Sequence, residues 1–341
     1  MPKSVNRRLL LAKRPGRAGV TQDCFRLEEA EVPAPGPGQL LIRVLWLSCD
    51  PAMRGWIAEG PNYSEPVPLG GVMRSFTLGR VEVSQHPDYP VGSYVSGRQG
   101  WQDWAISDGS DIDRIVDPEQ APLSANLHLL GMTGLTAYLG LTDVGRPKVG
   151  ETVVVSTAAG AVGSVVGQVA KLLGCRTVGI TGSSGKVSDC LETYGYDAAI
   201  NYRDYETTDA LASALAEVCP AGVDVYYDMT AGWISDAVMG QIAIGARIVV
   251  VGTMAMPSTP PPVGPRYSRQ MLVTRATMTG FLVLDHFDRL EEAVTKLGAW
   301  YREGRLRYRE DVTEGLERAP EALMKLLNGR TRGKVLVKLA D

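Results

Sequence analysis

The stretch Thr152-Val-Val-Val-Ser-Thr-Ala-Ala-Gly-Ala-Val-Gly163 decides the fold of this chain of 341 residues. Its first five residues form a short apolar run rich in β-branched side chains, which is typical of a buried strand. A helical pattern of apolar residues follows over 162–173. A strand that turns within a few residues into a helix predicts the start of a βαβ unit.

The turn between this strand and its helix has glycines at the spacing of a dinucleotide-binding motif. Aligned on Gly-x-Gly-x-x-Gly, Ala158 takes the first glycine position, Gly160 the second and Gly163 the third. The second glycine lets the backbone approach a pyrophosphate, and the third lets the helix pack tightly on the strand. The amides at the helix N-terminus, which include those of Ala161 and Val162, then face the phosphate charge. A merely tight strand–helix turn is the alternative.

From about residue 150, strands alternate with helices. Continuous apolar strands in such a pattern predict a parallel sheet that is buried on both faces, the doubly wound Rossmann arrangement of an α/β protein. A helix is predicted over 234–242 and another over 287–303, after a proline-rich loop at 257–265. The strands of this sheet are predicted at 152–156, 176–181, 198–200, 223–227 and 246–252.

The first 125 residues have a different character. They combine short β-type runs with Gly- and Pro-rich turns, which indicates an irregular β domain. The tail ends in a β-type run over 333–339, which we expect to return to this first domain. The predicted domains are therefore 1–125 completed by 306–341, and 126–305.

The end of the second predicted strand bears on the choice of nucleotide. A site that prefers NAD places an acid there to hold the ribose 2′-hydroxyl. Here the strand runs into Thr181-Gly-Ser-Ser-Gly-Lys186, which has no acid and one cation. Small polar groups and a lysine suit a 2′-phosphate, so the sequence favours NADPH. The alternative for Lys186 is a solvated residue in the first turn of the next helix.

Composition excludes several classes of function. The formal net charge is −3 and no block of like charges stands out, which gives nucleic acid no binding surface. Three leucines after the basic N-terminus are too few for a signal-peptide core or a membrane span. The five cysteines are scattered and odd in number, and there are only three histidines, which argues against a disulfide framework or a metal site. We expect a cytoplasmic protein with no metal.

Several further motifs accompany the glycine turn and Lys186. They are Asp50-Pro-Ala-Met-Arg-Gly55, Asn62-Tyr63-Ser64, Gly131-Met-Thr-Gly-Leu-Thr-Ala-Tyr138, Asn201-Tyr202 and Gly329-Arg-Thr-Arg-Gly-Lys334. Taken together, these segments resemble those of the leukotriene/prostaglandin reductase branch of the medium-chain dehydrogenase/reductase superfamily, which includes bacterial curcumin reductases and plant alkenal double-bond reductases. The resemblance spans almost the whole chain.

The resemblance implies a fold, a cofactor and an assembly. The first domain would be GroES-like, the second a Rossmann domain, and the active protein a homodimer formed through the Rossmann domains. NADPH would lie on the turn Gly160–Gly163, with Lys186 and Tyr202 at the 2′-phosphate. Further cofactor contacts are implied at Gly252, Phe281 and Thr331.

Three departures from the family pattern stand out. Ala52 replaces a usual tyrosine, which removes an aromatic side chain from the substrate cleft. Met229 and Thr331 each replace an asparagine that usually contacts cofactor. These exchanges leave substrate choice and the secondary cofactor contacts open.

The chain has no Gly-His-Glu segment of the kind that ligates zinc in metal-dependent relatives; the corresponding region reads Gly70-Gly-Val-Met-Arg74. Without a metal, reduction of an α,β-unsaturated carbonyl compound uses the substrate's own electronics. Hydride adds to the β-carbon, charge moves to the carbonyl oxygen, and a proton reaches the α-carbon. A hydrogen-bond donor for the developing enolate is then needed. By position in the family pattern, Tyr63 and Tyr267 are the candidates; either is equally well an ordinary packing or surface tyrosine.

The sequence thus predicts an NADPH-dependent reductase that acts on a small enone or enal. Two alternatives remain open. An NADPH:quinone oxidoreductase shares the fold, the cofactor and the absence of zinc. A weakly catalytic NADPH-binding or interaction protein is compatible with the exchanges at Met229 and Thr331. Neither a membrane nor a nucleic acid is expected as a partner.

Overall fold

The computed structural model describes residues 5–16, 19–59, 62–255 and 263–340. The chain forms two compact units: unit 1 comprises Met1–His128 and Glu310–Asp341, and unit 2 comprises Leu129–Arg309. Most of the proline-rich loop predicted at 257–265 lies outside the described residues. Within the described ranges, no helix is long and apolar enough to cross a membrane.

Strands make up most of unit 1, and strands alternate with helices in unit 2. The strands are β1 (Val5–Leu11), β2 (Phe25–Glu31), β3 (Leu40–Cys49), β4 (Thr77–Ser84), β5 (Tyr94–Gly97), β6 (Trp104–Ser107), β7 (Ile112–Val116), β8 (Thr152–Ser156), β9 (Arg176–Thr181), β10 (Ala198–Asn201), β11 (Val223–Asp228), β12 (Ile242–Val250), β13 (Thr277–Gly280), β14 (Glu310–Glu314) and β15 (Lys334–Lys338). The α-helices are α1 (Met53–Trp56), α2 (Met132–Leu139), α3 (Ala161–Leu172), α4 (Ser184–Ser188), α5 (Thr208–Val218), α6 (Gly232–Met239), α7 (Ser268–Thr274), α8 (Leu290–Arg302) and α9 (Ala319–Leu327).

Unit 2 is built on a six-stranded sheet with the order β10-β9-β8-β11-β12-β13, and all its neighbouring strands are parallel. Each strand except the last is followed by a helix before the next one begins. This is the strand order of a Rossmann fold. The central strand β8 is completely buried, as the apolar run predicted. The α/β fold class predicted from the sequence is confirmed.

Unit 1 contains a mixed sheet with the path β14-β15-β3-β4-β5-β7, with β6 paired to β3. Its strands are antiparallel neighbours except β14 and β15, which are parallel. The tail strand β15 pairs antiparallel with β3, with Val335 opposite Cys49. The C-terminal segment therefore completes the sheet of the first unit. A separate two-stranded sheet is formed by β1 and β2. This architecture matches the predicted GroES-like β domain.

One predicted helix ends earlier than expected. The helix predicted over 234–242 ends at Met239, and Ile242 is already the first residue of β12. The β12 strand contains Gly245, whose φ of 77° interrupts the regular extended backbone, and its pairing with β11 shifts register there. An irregular strand has no clean alternation of side chains, so its first half is easily mistaken for the end of a helix.

Candidate functional site

The glycine turn joins β8 to α3 in the conformation that its sequence requires. The Gly160 N–H donates to the Thr157 carbonyl (2.8 Å), and the Ala158 N–H donates to Ile180 of the next strand (3.1 Å). A Cβ on Gly163 would lie 2.4 Å from the Thr157 carbonyl oxygen and 2.8 Å from Ala158 Cα. Glycine is therefore needed at this position for the helix to pack on the turn, as predicted.

The turn also contains strained backbone. Thr157 has a φ of 54°, which is unusual for a β-branched residue. Helix α3 has twelve residues and begins at Ala161 with Gly160 as its N-cap, and a glycine has no side chain that could cap the helix. The first N–H groups of an α-helix have no partner within the helix. A helix that starts in this way presents donors and positive dipole to an anion.

A second part of the site is formed where β9 and β10 end. The two strands are parallel neighbours with Thr181 opposite Asn201, so the residues that follow them meet at one edge. A Cβ on Gly182 would lie 2.9 Å from the Tyr202 ring, which shows how closely this ring approaches the turn after β9. Lys186 lies one turn further on, in α4, where the Ser183 side chain accepts a hydrogen bond from its backbone N–H.

The structure adds a residue at this edge that the sequence analysis missed. The Arg203 guanidinium lies 5.8 Å from the centre of the Tyr202 ring, and its Nε donates to the Tyr202 hydroxyl (3.4 Å). Arg203 is exposed and makes no ion pair with the residues that the structure describes. The signal in the sequence was the cation that directly follows Asn201-Tyr202. Two cations and a tyrosine hydroxyl, with no acid directly after β9, suit a phosphate group.

The end of β11 is organised by a buried carboxylate. Asp228 is 5% exposed. Its carboxylate accepts hydrogen bonds from the Ser235 hydroxyl (2.6 Å), the Tyr226 hydroxyl (3.1 Å) and the backbone N–H groups of Thr230 (3.0 Å) and Ala231 (2.9 Å). Ala231 has φ 56° and ψ −164°, near a region that almost only glycine populates. The loop after β11 is thus held rigidly in a strained form.

Met229 and Gly252 lie together beside this loop. The Met229 N–H donates to the Ser156 hydroxyl (2.8 Å), which links the ends of β8 and β11. A Cβ on Gly252 would lie 3.0 Å from the Met229 carbonyl oxygen. The loop therefore approaches the glycine turn through its backbone, and the Met229 side chain is not required for this contact.

Phe281 follows β13 directly. Its backbone N–H donates to Val250 (2.9 Å), and its ring is stacked on His286 with 5.0 Å between the ring centres and 9° between the planes. Together with Gly252 and the glycine turn, Phe281 marks the carboxyl ends of the parallel strands. Ligands of open α/β sheets bind at this edge. Thr331, predicted as a cofactor contact, belongs to unit 1, where it is buried between α9 and β15.

The two predicted catalytic tyrosines have different surroundings. The Tyr267 hydroxyl, in unit 2, donates a hydrogen bond to the carboxylate of Asp236 on α6. Burial and the Asp236 carboxylate hold the pKa of Tyr267 well above its usual value. Tyr63, in unit 1, is 50% exposed. Burial and the Asp50 carboxylate raise the pKa of Tyr63, and the Trp56 indole N–H and the Arg74 cation lower it. The hydroxyl of Tyr267 thus donates to an acid, whereas that of Tyr63 lies near a hydrogen-bond donor and a cation.

Cys49, at the end of β3, has surroundings that do not suit a metal ion. The Cys49 thiol is buried, and its burial raises the pKa well above the usual value. The neighbouring Asp50 carboxylate already binds the Lys334 ammonium (2.5 Å) and the Ser48 hydroxyl. Over the described part of the chain, no three His, Cys, Asp or Glu residues are grouped so that they could hold a metal ion. These residues do not fit zinc.

Comparison with known proteins gives two family models and many relatives. One model, described as the N-terminal domain of oxidoreductase, matches residues 7–115, and one described as zinc-binding dehydrogenase matches residues 161–299. The chain is 43% identical to the NADPH-dependent curcumin reductase of Escherichia coli (strain K12), with 99% of this chain and 98% of that protein covered.

It is 39% identical to prostaglandin reductase 1 of Sus scrofa, with 93% of this chain and 94% of that protein covered. Among solved structures, it is similar to the crystal structure of CurA in complex with NADPH from Vibrio vulnificus. The TM-score is 0.90 at 39% identity, with 98% of this chain and 99% of that chain covered.

Proposed function

We infer the function of this chain from its family, because it belongs to the medium-chain dehydrogenase/reductase family, in the branch of the double-bond reductases. We propose that it uses NADPH to reduce the carbon–carbon double bond of an α,β-unsaturated ketone or aldehyde. The observation that carries the proposal is similarity over nearly the whole chain to an NADPH-dependent curcumin reductase. The helix N-terminus and the cations at the strand ends of unit 2, and the groups near Tyr63 in unit 1, support it.

The proposed cofactor site lies at the carboxyl edge of the unit 2 sheet. The amides of Gly160, Ala161, Val162 and Gly163 would face the pyrophosphate. Backbone at Gly252 and Phe281 would border the nicotinamide half, and Thr331 would contribute from unit 1. When bound, NADPH supplies the hydride.

The 2′-phosphate would be held by Lys186 and Tyr202, and we add Arg203 to these. The support is the contact of the Tyr202 ring with Gly182 and the position of the Arg203 guanidinium over that ring. Lys186→Ala should raise the NADPH KM roughly 10- to 150-fold, the effect of losing a hydrogen bond to a charged group, and leave the NADH KM nearly unchanged. Lys296→Ala, on α8 of the same unit, is the control. An unchanged ratio of the two cofactors' kcat/KM would contradict this assignment.

The substrate side needs a donor for the oxygen that becomes negative. We propose Tyr63 for this role and keep Tyr267 as the second candidate. Asp236 already accepts the Tyr267 hydroxyl hydrogen, so that hydroxyl must first leave the acid. Tyr63→Phe should therefore lower kcat by about 10²- to 10³-fold, while Tyr267→Phe should change it much less. Equal turnover of both variants and the wild type would remove tyrosine from the mechanism.

The reaction itself is tested by NADPH oxidation with a panel of linear and cyclic enones, an alkenal and a quinone. We expect saturated ketones or aldehydes as products and little turnover of the quinone. Rapid turnover of the quinone alone would favour the quinone oxidoreductase alternative. NADPH binding without turnover of any of these substrates would favour the weakly catalytic binding protein.

We also propose separate roles for the units, a homodimer and a cytoplasmic location. Unit 2 would bind NADPH, and unit 1 would contribute substrate and catalytic residues. The edge strand β13 is exposed along its whole length. Met278 in this strand and Leu272 in the preceding helix α7 are exposed apolar side chains, and an open edge of this kind suits strand pairing with a second copy. Sedimentation velocity should give a dimer that Met278→Asp weakens, whereas Val149→Asp, also at an exposed site of unit 2, should leave it intact.

The cysteines support the proposed cytoplasmic location. All five are free thiols, as in a reducing compartment.

A further inference from the structure

A buried donor without a partner lies at the end of α1 in unit 1. Trp56 is 4% exposed, yet its indole N–H makes no hydrogen bond with any residue that the structure describes. The Trp56 ring packs against the Phe76 ring, with 6.2 Å between the ring centres. The backbone of Trp56 is also fixed, because its carbonyl accepts a hydrogen bond from the Val67 N–H (2.8 Å). Leaving a buried donor unpaired costs about 1–3 kcal/mol. A rigid, unpaired donor of this kind is a suitable contact for a ligand atom.

A cation lies on the same ring. The Arg74 guanidinium is 5.6 Å from the centre of the Trp56 indole, and one of its terminal nitrogens donates to the Glu65 carbonyl (3.0 Å). Within the described ranges it has no carboxylate partner. The cation–π contact and the carbonyl hold the guanidinium in place, while its positive charge stays uncompensated.

The segment with Tyr63 is held against α1. A Cβ on Gly55 would lie 2.6 Å from the Asn62 amide nitrogen, so a larger residue at this position would displace the Asn62 side chain from α1. The Asn62 side-chain oxygen in turn accepts from the Tyr63 N–H (2.8 Å). Burial and the Asp50 carboxylate raise the pKa of the Tyr63 hydroxyl, and the nearby Trp56 and Arg74 side chains lower it. Two neutral donors and a cation therefore lie close together, and the nearby Asp50 carboxylate is already bound to the Lys334 ammonium.

We propose that Trp56, Tyr63 and Arg74 together bind the negatively charged oxygen of the substrate, namely the enolate oxygen that forms as the double bond is reduced. The inference rests on the proposed function and names Trp56 and Arg74 as catalytic residues in addition to Tyr63. Hydride adds to the β-carbon, the π electrons move to the carbonyl oxygen, and this oxygen receives hydrogen bonds from the Trp56 N–H and the Tyr63 O–H. When the carbonyl re-forms, the α-carbon takes a proton from water.

The site can be tested without turnover. The probe is 4-nitrophenol, whose phenolate absorbs visible light and carries a negative oxygen on an apolar ring. The wild type should bind the phenolate in preference to the neutral phenol and so lower the apparent pKa of the bound probe. Trp56→Phe and Arg74→Met should each weaken phenolate binding about 10-fold or more, and Arg74→Lys should weaken it less.

Unit 1 offers a matched control. The Arg43 guanidinium lies 5.8 Å from the centre of the Trp104 ring, the same kind of contact at a different place. Trp104→Phe and Arg43→Met should leave phenolate binding unchanged. An unaltered preference for phenolate in both Trp56→Phe and Arg74→Met would overturn the proposed site.

Kinetics then identifies which oxygen is bound. With an uncharged enone, Trp56→Phe should lower kcat about 10²-fold and leave the NADPH KM unchanged. An increase in KM confined to enones that carry a carboxylate, with kcat unaltered, would mean that the site binds a substrate acid and would overturn the enolate assignment. If the wild type reduces no enone while phenolate binding responds to the variants, the proposed function fails and the oxygen-binding site remains.

Discussion

Two buried carboxylates, one in each unit, are stabilised in opposite ways. Asp50 directly follows β3 and is 3% exposed; Asp228 ends β11 and is 5% exposed. Asp50 binds the ammonium of Lys334, which is 284 residues away in the chain. Asp228 receives hydrogen bonds from neutral groups, and Tyr226 and Ser235, two and seven residues away, are among the donors.

The difference shows what each carboxylate does for the fold. The Asp50–Lys334 pair joins the tail strand to the sheet of unit 1 by charge, so each partner depends on the other. The Asp228 network shapes a local loop by hydrogen bonds, and several donors together stabilise the buried carboxylate. A cross-link by charge should be more sensitive to loss of one partner than a network of neutral donors. The following substitutions test this in order of expected effect.

Removing the counter-charge of Asp50 should have the largest effect. Lys334→Met leaves a carboxylate buried without its cation, which costs about 3–5 kcal/mol of folding free energy. Urea denaturation followed by circular dichroism measures this. Asp50→Leu combined with Lys334→Met should recover most of the loss, because a buried ion pair is often replaceable by apolar side chains. Lys325→Met, which removes an exposed pair with Asp311, should cost less than about 1 kcal/mol.

Asp113 on β7 is an intermediate case, with a buried carboxylate and a largely exposed arginine partner, Arg98 (3.4 Å). Burial raises the pKa of Asp113 from 3.8 to about 6, against the lowering effect of Arg98. The folded state therefore holds this proton more tightly than the unfolded state, so stability falls as the pH rises from about 4 to 6 and then levels off. A shift of two units corresponds to at most about 3 kcal/mol.

Asp113→Asn should remove this decrease in stability with rising pH. The difference in free energy of unfolding between variant and wild type should be small near pH 4 and grow to its full value above pH 6. Urea denaturation across this range measures it, with the exposed Glu119→Gln as the control. A difference that is constant with pH would show that Asp113 does not titrate in this range.

Substitution of Asp228 should lower the free energy of unfolding less than loss of the Asp50–Lys334 pair. Asp228→Asn keeps the shape but turns an amide donor towards other donors, so one or two hydrogen bonds are lost at about 1–3 kcal/mol in total. The same urea denaturation applies. If Asp228→Asn lowered the free energy of unfolding as much as Lys334→Met does, the neutral donors would not jointly stabilise the Asp228 carboxylate as described.

Relief of backbone strain should give the smallest effect, and a stabilising one. Ala231 is held in its strained conformation by the Asp228 carboxylate. Ala231→Gly relieves about 1–3 kcal/mol of strain and loses about 0.4–1 kcal/mol through the freer unfolded chain, so a net gain of about 1 kcal/mol is expected. Ala216→Gly in the interior of α5 should instead lose about 1 kcal/mol. A destabilised Ala231→Gly would show that the loop is not strained.

Sequence-based prediction succeeded where structure depends on neighbours in the chain. The glycine turn follows from local spacing, and the need for Gly163 is visible in its contact with Thr157. The Rossmann strand order follows from the alternation of strands and helices. The Asp50–Lys334 pair could not be predicted, because the whole of unit 2 separates its partners in the chain and only the tertiary fold brings them together.

Contacts around the two candidate tyrosines could not be predicted from the sequence for the same reason. The hydrogen bond of Tyr267 to Asp236 joins a loop to α6 across 31 residues, and the Trp56–Arg74 contact depends on how the loop after α1 folds back. Arg203 was within reach, since it directly follows the motif residue Tyr202, but nothing in its own pattern separates a phosphate contact from a solvated surface cation.

The central claim is that this chain delivers hydride to the β-carbon of a conjugated enone. The most direct test uses NADPH deuterated at both C4 positions with an uncharged enone, and NMR of the product. We expect a saturated ketone with deuterium at the β-carbon and none at the carbonyl carbon. Deuterium at the carbonyl carbon of an allylic alcohol, or no deuterated product at all, would contradict the account.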